Sequence, residues 1–244
     1  MDDLPPYVPI VFILTTFGAI ALLLQAVKVA GLQTLPGKIL VFLLPFWLFL
    51  QGILARGAFY QNTDSLPPRL VSFGLLPPLL LIIAYFLFFR KNFLRRLPLA
   101  TLTVLHVVRI PVELTLYALC ARGLVPQMMT FEGQNFDIVS GLLAPIVYVL
   151  GFSKHGNRKW LLVAYNVLGL TLLTNVVIIA AFSVPSPVQA LNFEQPNRGV
   201  LFFPFIWLPT IVVPIVLFSH LIVFWRLFNE RAYVPTLIDH GEAR

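Results

Sequence analysis

The chain of 244 residues is 59% hydrophobic and only 11% charged, with a mean hydropathy of +0.88. Soluble domains average roughly 25% charged residues, and a soluble fold would need one core able to bury successive apolar runs of bilayer length. The composition excludes such a domain and predicts an all-α polytopic membrane helix bundle, with the lipid bilayer as its first partner. The net charge of +7 calls for no nucleic-acid partner, because the basic residues flank the apolar runs and serve to orient them.

Seven transmembrane helices are expected in chain order: Tyr7 to Ala30, Lys38 to Phe59, Leu70 to Phe89, Leu97 to Ala121, Asp137 to Phe152, Trp160 to Phe182 and Val200 to Trp225. Runs near 20 apolar residues fit the hydrocarbon thickness at helical rise, whereas barrel strands would read as alternating segments of about ten. Pro45, Pro77, Pro78, Pro111, Pro145, Pro209 and Pro214 fall inside these spans and predict kinks, with the freed carbonyls satisfied by neighbouring helices. Span five, with Gly141 and Pro145 in it, is the shortest and admits a re-entrant reading. Losing that crossing would put Lys154, Arg158 and Lys159 on the same side as Glu132 and Asp137, so a full crossing is the better expectation.

Lys and Arg set the orientation. The connections after spans one, three and five and the C-terminal tail hold Lys28, Lys38, Arg90, Lys91, Arg95, Arg96, Lys154, Arg158, Lys159, Arg226, Arg231 and Arg244. The opposite side holds only Arg56, Arg69, Arg122 and Arg198, together with most of the acids. Positive loops stay cytoplasmic, which predicts an N-terminus outside, a C-terminus in the cytoplasm and residence in the cell membrane. One seven-helix domain, 1–228, is expected, followed by a short cytoplasmic tail, 229–244. The acidic first residues lack a basic n-region, so the first helix is expected to remain. Cys120 is the only cysteine, which excludes an intramolecular disulfide and a thiolate metal cluster.

Span four carries the chemistry. At about 100° per residue, Arg109, Glu113, Tyr117 and Cys120 fall within an arc of about 80° that includes His106. A charge turned to lipid at mid-depth costs at least about 2.5 to 3.5 kcal/mol, so this stripe must face protein or water, and span four is an inner helix. Counting rise from Leu97 puts His106 and Arg109 near mid-bilayer and Glu113 further toward the outside. Gln51 on span two and Asn175 on span six lie at matching depths and are the first candidate partners; Asn166 and His220 lie nearer the inner side.

Two readings of Arg109 and Glu113 compete. As a self-neutralising i,i+4 pair, supported by Gln51 or Asn175, they hold the bundle in register. As a site, Arg109 binds an anion or carboxylate and Glu113 binds a proton or cation. Asn166 and Asn175 fall on opposite faces of span six and cannot line the same pocket. His106 and His220 lack a third ligand, so no metal and no cofactor is expected. In the outer segment from Gln127 to Asp137, Glu132, Asn135 and Asp137 are candidate ligand contacts, while Asn135 or Asp137 is also placed to cap span five.

Known seven-span families offer no match. Span seven has no lysine for a retinal Schiff base, Asp-Arg-Tyr and Asn-Pro-x-x-Tyr are absent, and a Gly-x-Ser-x-Gly signature is missing. The expected function is transport or permeation of an ion, proton or small anionic solute. The alternatives are a receptor-like protein with a pocket beneath the outer loops, or a membrane-embedded enzyme acting on a lipid or isoprenoid.

Overall fold

The computed structural model describes residues 4–152 and 158–229, and the expected tail from 230 onward lies outside them. Among the described residues the chain is all-α. Six helices are long and apolar enough to cross a membrane: α1 (Tyr7–Gly31), α2 (Leu35–Arg56), α3 (Leu70–Phe89), α4 (Leu99–Cys120), α6 (Lys159–Ser183) and α7 (Leu208–Asn229). The fifth, α5 (Asp137–Gly151), is apolar but only 15 residues long.

Local chemistry sets the ends. Gly31, at φ +121°, lets α1 turn into a tight corner that an L side chain would strain. Thr34 then caps α2 by accepting a hydrogen bond from the Gly37 amide at 3.2 Å, with Pro36 in the first turn, where its missing N–H costs nothing. The seventh helix starts at Leu208, not at Val200 as its apolar run suggested. Pro204 and Pro209 cannot donate to the carbonyls four residues before them, so residues 199–207 fold as a 3-10 turn, Gly199–Leu201, and further turns.

Prolines inside the spans leave carbonyls that other helices take up. Pro77 removes the donor for the Phe73 carbonyl, and Gln51 supplies its side-chain amide there at 3.0 Å. Pro214 does the same to the Thr210 carbonyl, which accepts from the Trp47 indole at 3.1 Å. Each bond satisfies a group that lipid would leave bare. It also joins α2 to a kinked neighbour.

Burial ranks the helices. In its most apolar window α4 is 67% buried and α7 61%, against 28% for α2 and 17% for α3. Helix α4 is therefore the central strut, contacted by α1 on one side and α5 on the other. Glycine permits the second contact: a Cβ on Gly141 of α5 would lie 2.9 Å from Ile110 Cγ1 and 3.1 Å from the Ile110 backbone nitrogen. Only a hydrogen there lets the two backbones touch, the packing mode that lipid-embedded helices favour.

Candidate functional site

A 3-10 turn, Leu105–Val108, interrupts α4 just before Arg109. Pro111 cannot donate to the Val107 carbonyl, and the chain tightens at that point. The tighter winding keeps His106, Arg109 and Glu113 on the buried face, at 0%, 2% and 1% exposure. Tyr117 lies at the edge of that face, where it is 40% exposed and stacks on Phe131 at 5.0 Å. Tyr117 is thus not part of the inner cluster, although ideal helical geometry placed it in the stripe.

Arg109 does not pair with Glu113. Its Nε lies 3.0 Å from Asp137 Oδ2, and its Nη2 donates to the Gly169 carbonyl of α6 at 3.0 Å. Glu113 instead accepts from Asn135 Nδ2 at 2.6 Å through Oε1. Asn135 also donates to the Met129 carbonyl at 3.0 Å, while its own oxygen receives the Asp137 amide at 3.1 Å. Two outer-loop candidates, Asn135 and Asp137, have therefore folded inward, because residues 125–137 dip into the bundle with Val125, Met129 and Thr130 buried. Gln195 and the amides of Arg198 and Gly199 stitch this segment down by bonding the carbonyls of Val125 and Leu124.

Toward the other end, His106 and His220 stack with ring centres 3.7 Å apart and planes 16° from parallel. Asn166 gives its amide to the Leu162 carbonyl at 2.7 Å, so its oxygen faces His220 Nδ1 at 2.8 Å. An amide oxygen only accepts, so His220 donates from Nδ1. Tyr165 edges both rings and donates to the Ser140 carbonyl at 3.0 Å. Gly169 leaves room for the pair, since a Cβ there would sit 2.6 Å from His220 Nε2 and 3.0 Å from Ser140 Oγ.

The remaining candidates lie elsewhere. Gln51 bonds the Phe73 carbonyl and accepts from the Tyr60 hydroxyl, so it holds α2 to α3 and does not reach α4. Asn175 donates to the Gln134 carbonyl at 2.7 Å and ties α6 to the outer loop. Equal depth set these two beside the cluster, but depth says nothing of rotation. Glu132 is exposed and lines an open polar basin with Gln127, Asn192, Glu194 and Gln195. An apolar crevice of about 390 Å³ between α1, α2, α3 and α7 is lined by residues such as Leu44, Trp47 and Ile211, none of which belongs to the cluster.

Beside the cluster, a cavity of about 90 Å³ is walled by apolar residues of α3, α4, α6 and α7, with Glu113, Asp137 and Asn197 as its polar groups. Glu113 Oε2, Asp137 Oδ1 and Asn197 Oδ1 are all buried and have no hydrogen-bond partner. His106 Nδ1 and Nε2, Arg109 Nη1, Ser140 Oγ and His220 Nε2 share that condition. Such groups are rare in folded proteins, and several of them fall together here. Asn197, Ser140, Tyr165 and Gly169 escaped the sequence reading. Glycines within apolar spans were the one available signal, since small residues mark close helix contacts.

Residues 66–228 match the model of a family described as Domain of unknown function (DUF8737). The chain belongs to that family. The matched segment runs from just before α3 to the end of α7 and contains the whole cluster. No curated protein and no solved structure matches the chain.

Proposed function

We propose that this chain is a seven-span protein of the cell membrane, N-terminus outside and C-terminus cytoplasmic, whose α4 cluster binds and passes a proton or small cation. The charge count carries the reading: one buried cation, Arg109, stands against two buried carboxylates, Asp137 and Glu113. Ionised together they hold one net negative charge in a low-dielectric interior, which a proton or cation must balance. The bare oxygens of Glu113 and Asp137 at the cavity give that balancing charge a place to sit.

An anionic solute fits less well, because Arg109 is already engaged by Asp137 and by the Gly169 carbonyl. The polar groups also follow one another inward, from Asn135 and Glu113 through Asp137, Arg109, His106 and His220 to Asn166, which suits stepwise passage. The test is flux in proteoliposomes under an imposed potential, read by an internal pH indicator and by a cation-selective one. Wild-type protein should conduct, and Glu113→Gln should reduce flux by at least about tenfold. Wild-type flux no faster than that of protein-free vesicles would refute the proposal. A tag on the C-terminus that proved reachable from outside intact cells would overturn the orientation.

A further inference from the structure

The same cavity carries information about what it takes, and this step rests on the cation reading above. Three of the residues lining it, Glu113, Asp137 and Asn197, each carry a buried side-chain oxygen without a partner. All three residues are buried, at 1%, 4% and 0% exposure. The amide of Asn197 is oriented, since Nδ2 leans on the Ala180 carbonyl at 3.4 Å and leaves Oδ1 bare. The polar residues lining the cavity thus carry three bare acceptors and no unpaired donor.

That stoichiometry discriminates among cations. A hard divalent ion takes six or more oxygens, so it would need about three waters beside these residues in a small, mostly apolar cavity. A quaternary ammonium has no N–H to give and prefers aromatic faces, yet no aromatic residue lines this cavity. A primary ammonium has three N–H donors on one charged nitrogen. It would meet one acceptor with each. The charges close as well: Arg109 and the bound ammonium stand against Asp137 and Glu113, two against two.

The walls define the rest of the ligand. On the outward side Leu75, Val177, Leu208, Pro209 and Val213 are half-buried and Ala181 is exposed, so the cavity opens between α3, α6 and α7 toward the lipid. An apolar substituent on the nitrogen would lie among these side chains and continue into the bilayer. We infer that this cavity is a binding site for a primary alkylammonium, its nitrogen held by Glu113, Asp137 and Asn197 and its alkyl chain directed to the lipid between α3, α6 and α7.

The experiment is a thermal-stability titration of the full chain in detergent with n-butylammonium, n-butyltrimethylammonium, n-butanol and potassium. The n-butylammonium ion should raise the melting midpoint with an apparent affinity at least about tenfold above that of the trimethylated analogue, since the latter forms none of the charged hydrogen bonds. Neither n-butanol nor potassium should match it. The shift should vanish in Glu113→Gln and in Asn197→Leu, and persist in Asn197→Asp, which keeps an oxygen at that place. Asn197→Leu serves if Glu113→Gln fails to fold. An equal or larger shift from potassium or the trimethylated analogue overturns the ammonium assignment and leaves the cation reading intact. No shift from any probe, with proton flux retained, also overturns it; no shift and no flux overturns both.

Discussion

Asp137→Asn is the perturbation that most sharply separates the observed pairing from the one a helical wheel suggests. At 3.0 Å, Arg109 and Asp137 attract by about 5.5 kcal/mol at an effective dielectric of about 20. Desolvation of two buried ions offsets much of that, so the pair itself adds little, but removing one partner strands the other at a cost of about 3 to 5 kcal/mol. Asp137→Asn and Arg109→Met should each lower unfolding stability in detergent by that amount. The double variant should lose less than the sum, with a coupling of about 2 kcal/mol or more. The matching cycle between Arg109→Met and Glu113→Gln should give a coupling below about 1 kcal/mol, because Glu113 is held by Asn135. Unfolding titrations with a denaturing detergent measure all four corners of each cycle. A coupling to Glu113 equal to or larger than that to Asp137 would refute the pairing.

Three further outcomes follow from particular contacts. Gln51→Leu strands the Phe73 carbonyl left by Pro77 and should cost about 1 to 3 kcal/mol, read as a lower unfolding midpoint; an unchanged midpoint would mean that this carbonyl is satisfied by other means. Gly169→Ala drives a Cβ into the His220 ring and should cost about 1 to 3 kcal/mol, whereas Gly18→Ala, with nothing within 4 Å of the new Cβ, should be neutral or gain about 0.5 to 1 kcal/mol. Burial pushes the Tyr60 hydroxyl, which lies outside the spans, up to about 12 from an ordinary 10.0. The folded state holds that proton more tightly, so its stabilising share is complete below pH 10 and is lost as pH rises toward about 12. Stability of Tyr60→Phe should therefore fall less steeply than wild type over that window, and parallel curves would contradict the assignment.

Much of the bundle was legible because a bilayer imposes length and composition on each helix separately. The inward face of α4 was legible for the same reason, since His106, Arg109 and Glu113 lie on one helix whose period can be counted. Contacts between helices were not. Asn135 reaches Glu113 across 22 residues of chain, and nothing in its loop announces that the segment dips into the bundle. Gln51 and Asn175 were drawn to the cluster by depth alone, yet rotation sends one to the Pro77 gap and the other to the Gln134 carbonyl. Tyr117 sits at the edge of the counted arc, and there its ring is 40% exposed and stacks on Phe131 instead of turning inward. The start of α7 moved to Leu208 because the apolar residues around Pro204 carry the hydropathy through it, while the backbone registers its missing N–H.

The decisive measurement is infrared difference spectroscopy of the reconstituted protein as the bathing cation or pH is changed. A carboxyl or carboxylate band that responds to the exchange in wild type, disappears in Glu113→Gln and survives in the peripheral control Glu132→Gln would place the exchangeable charge at the α4 cluster. A spectrum unchanged by the exchange, or one altered equally in Glu113→Gln and wild type, would contradict it.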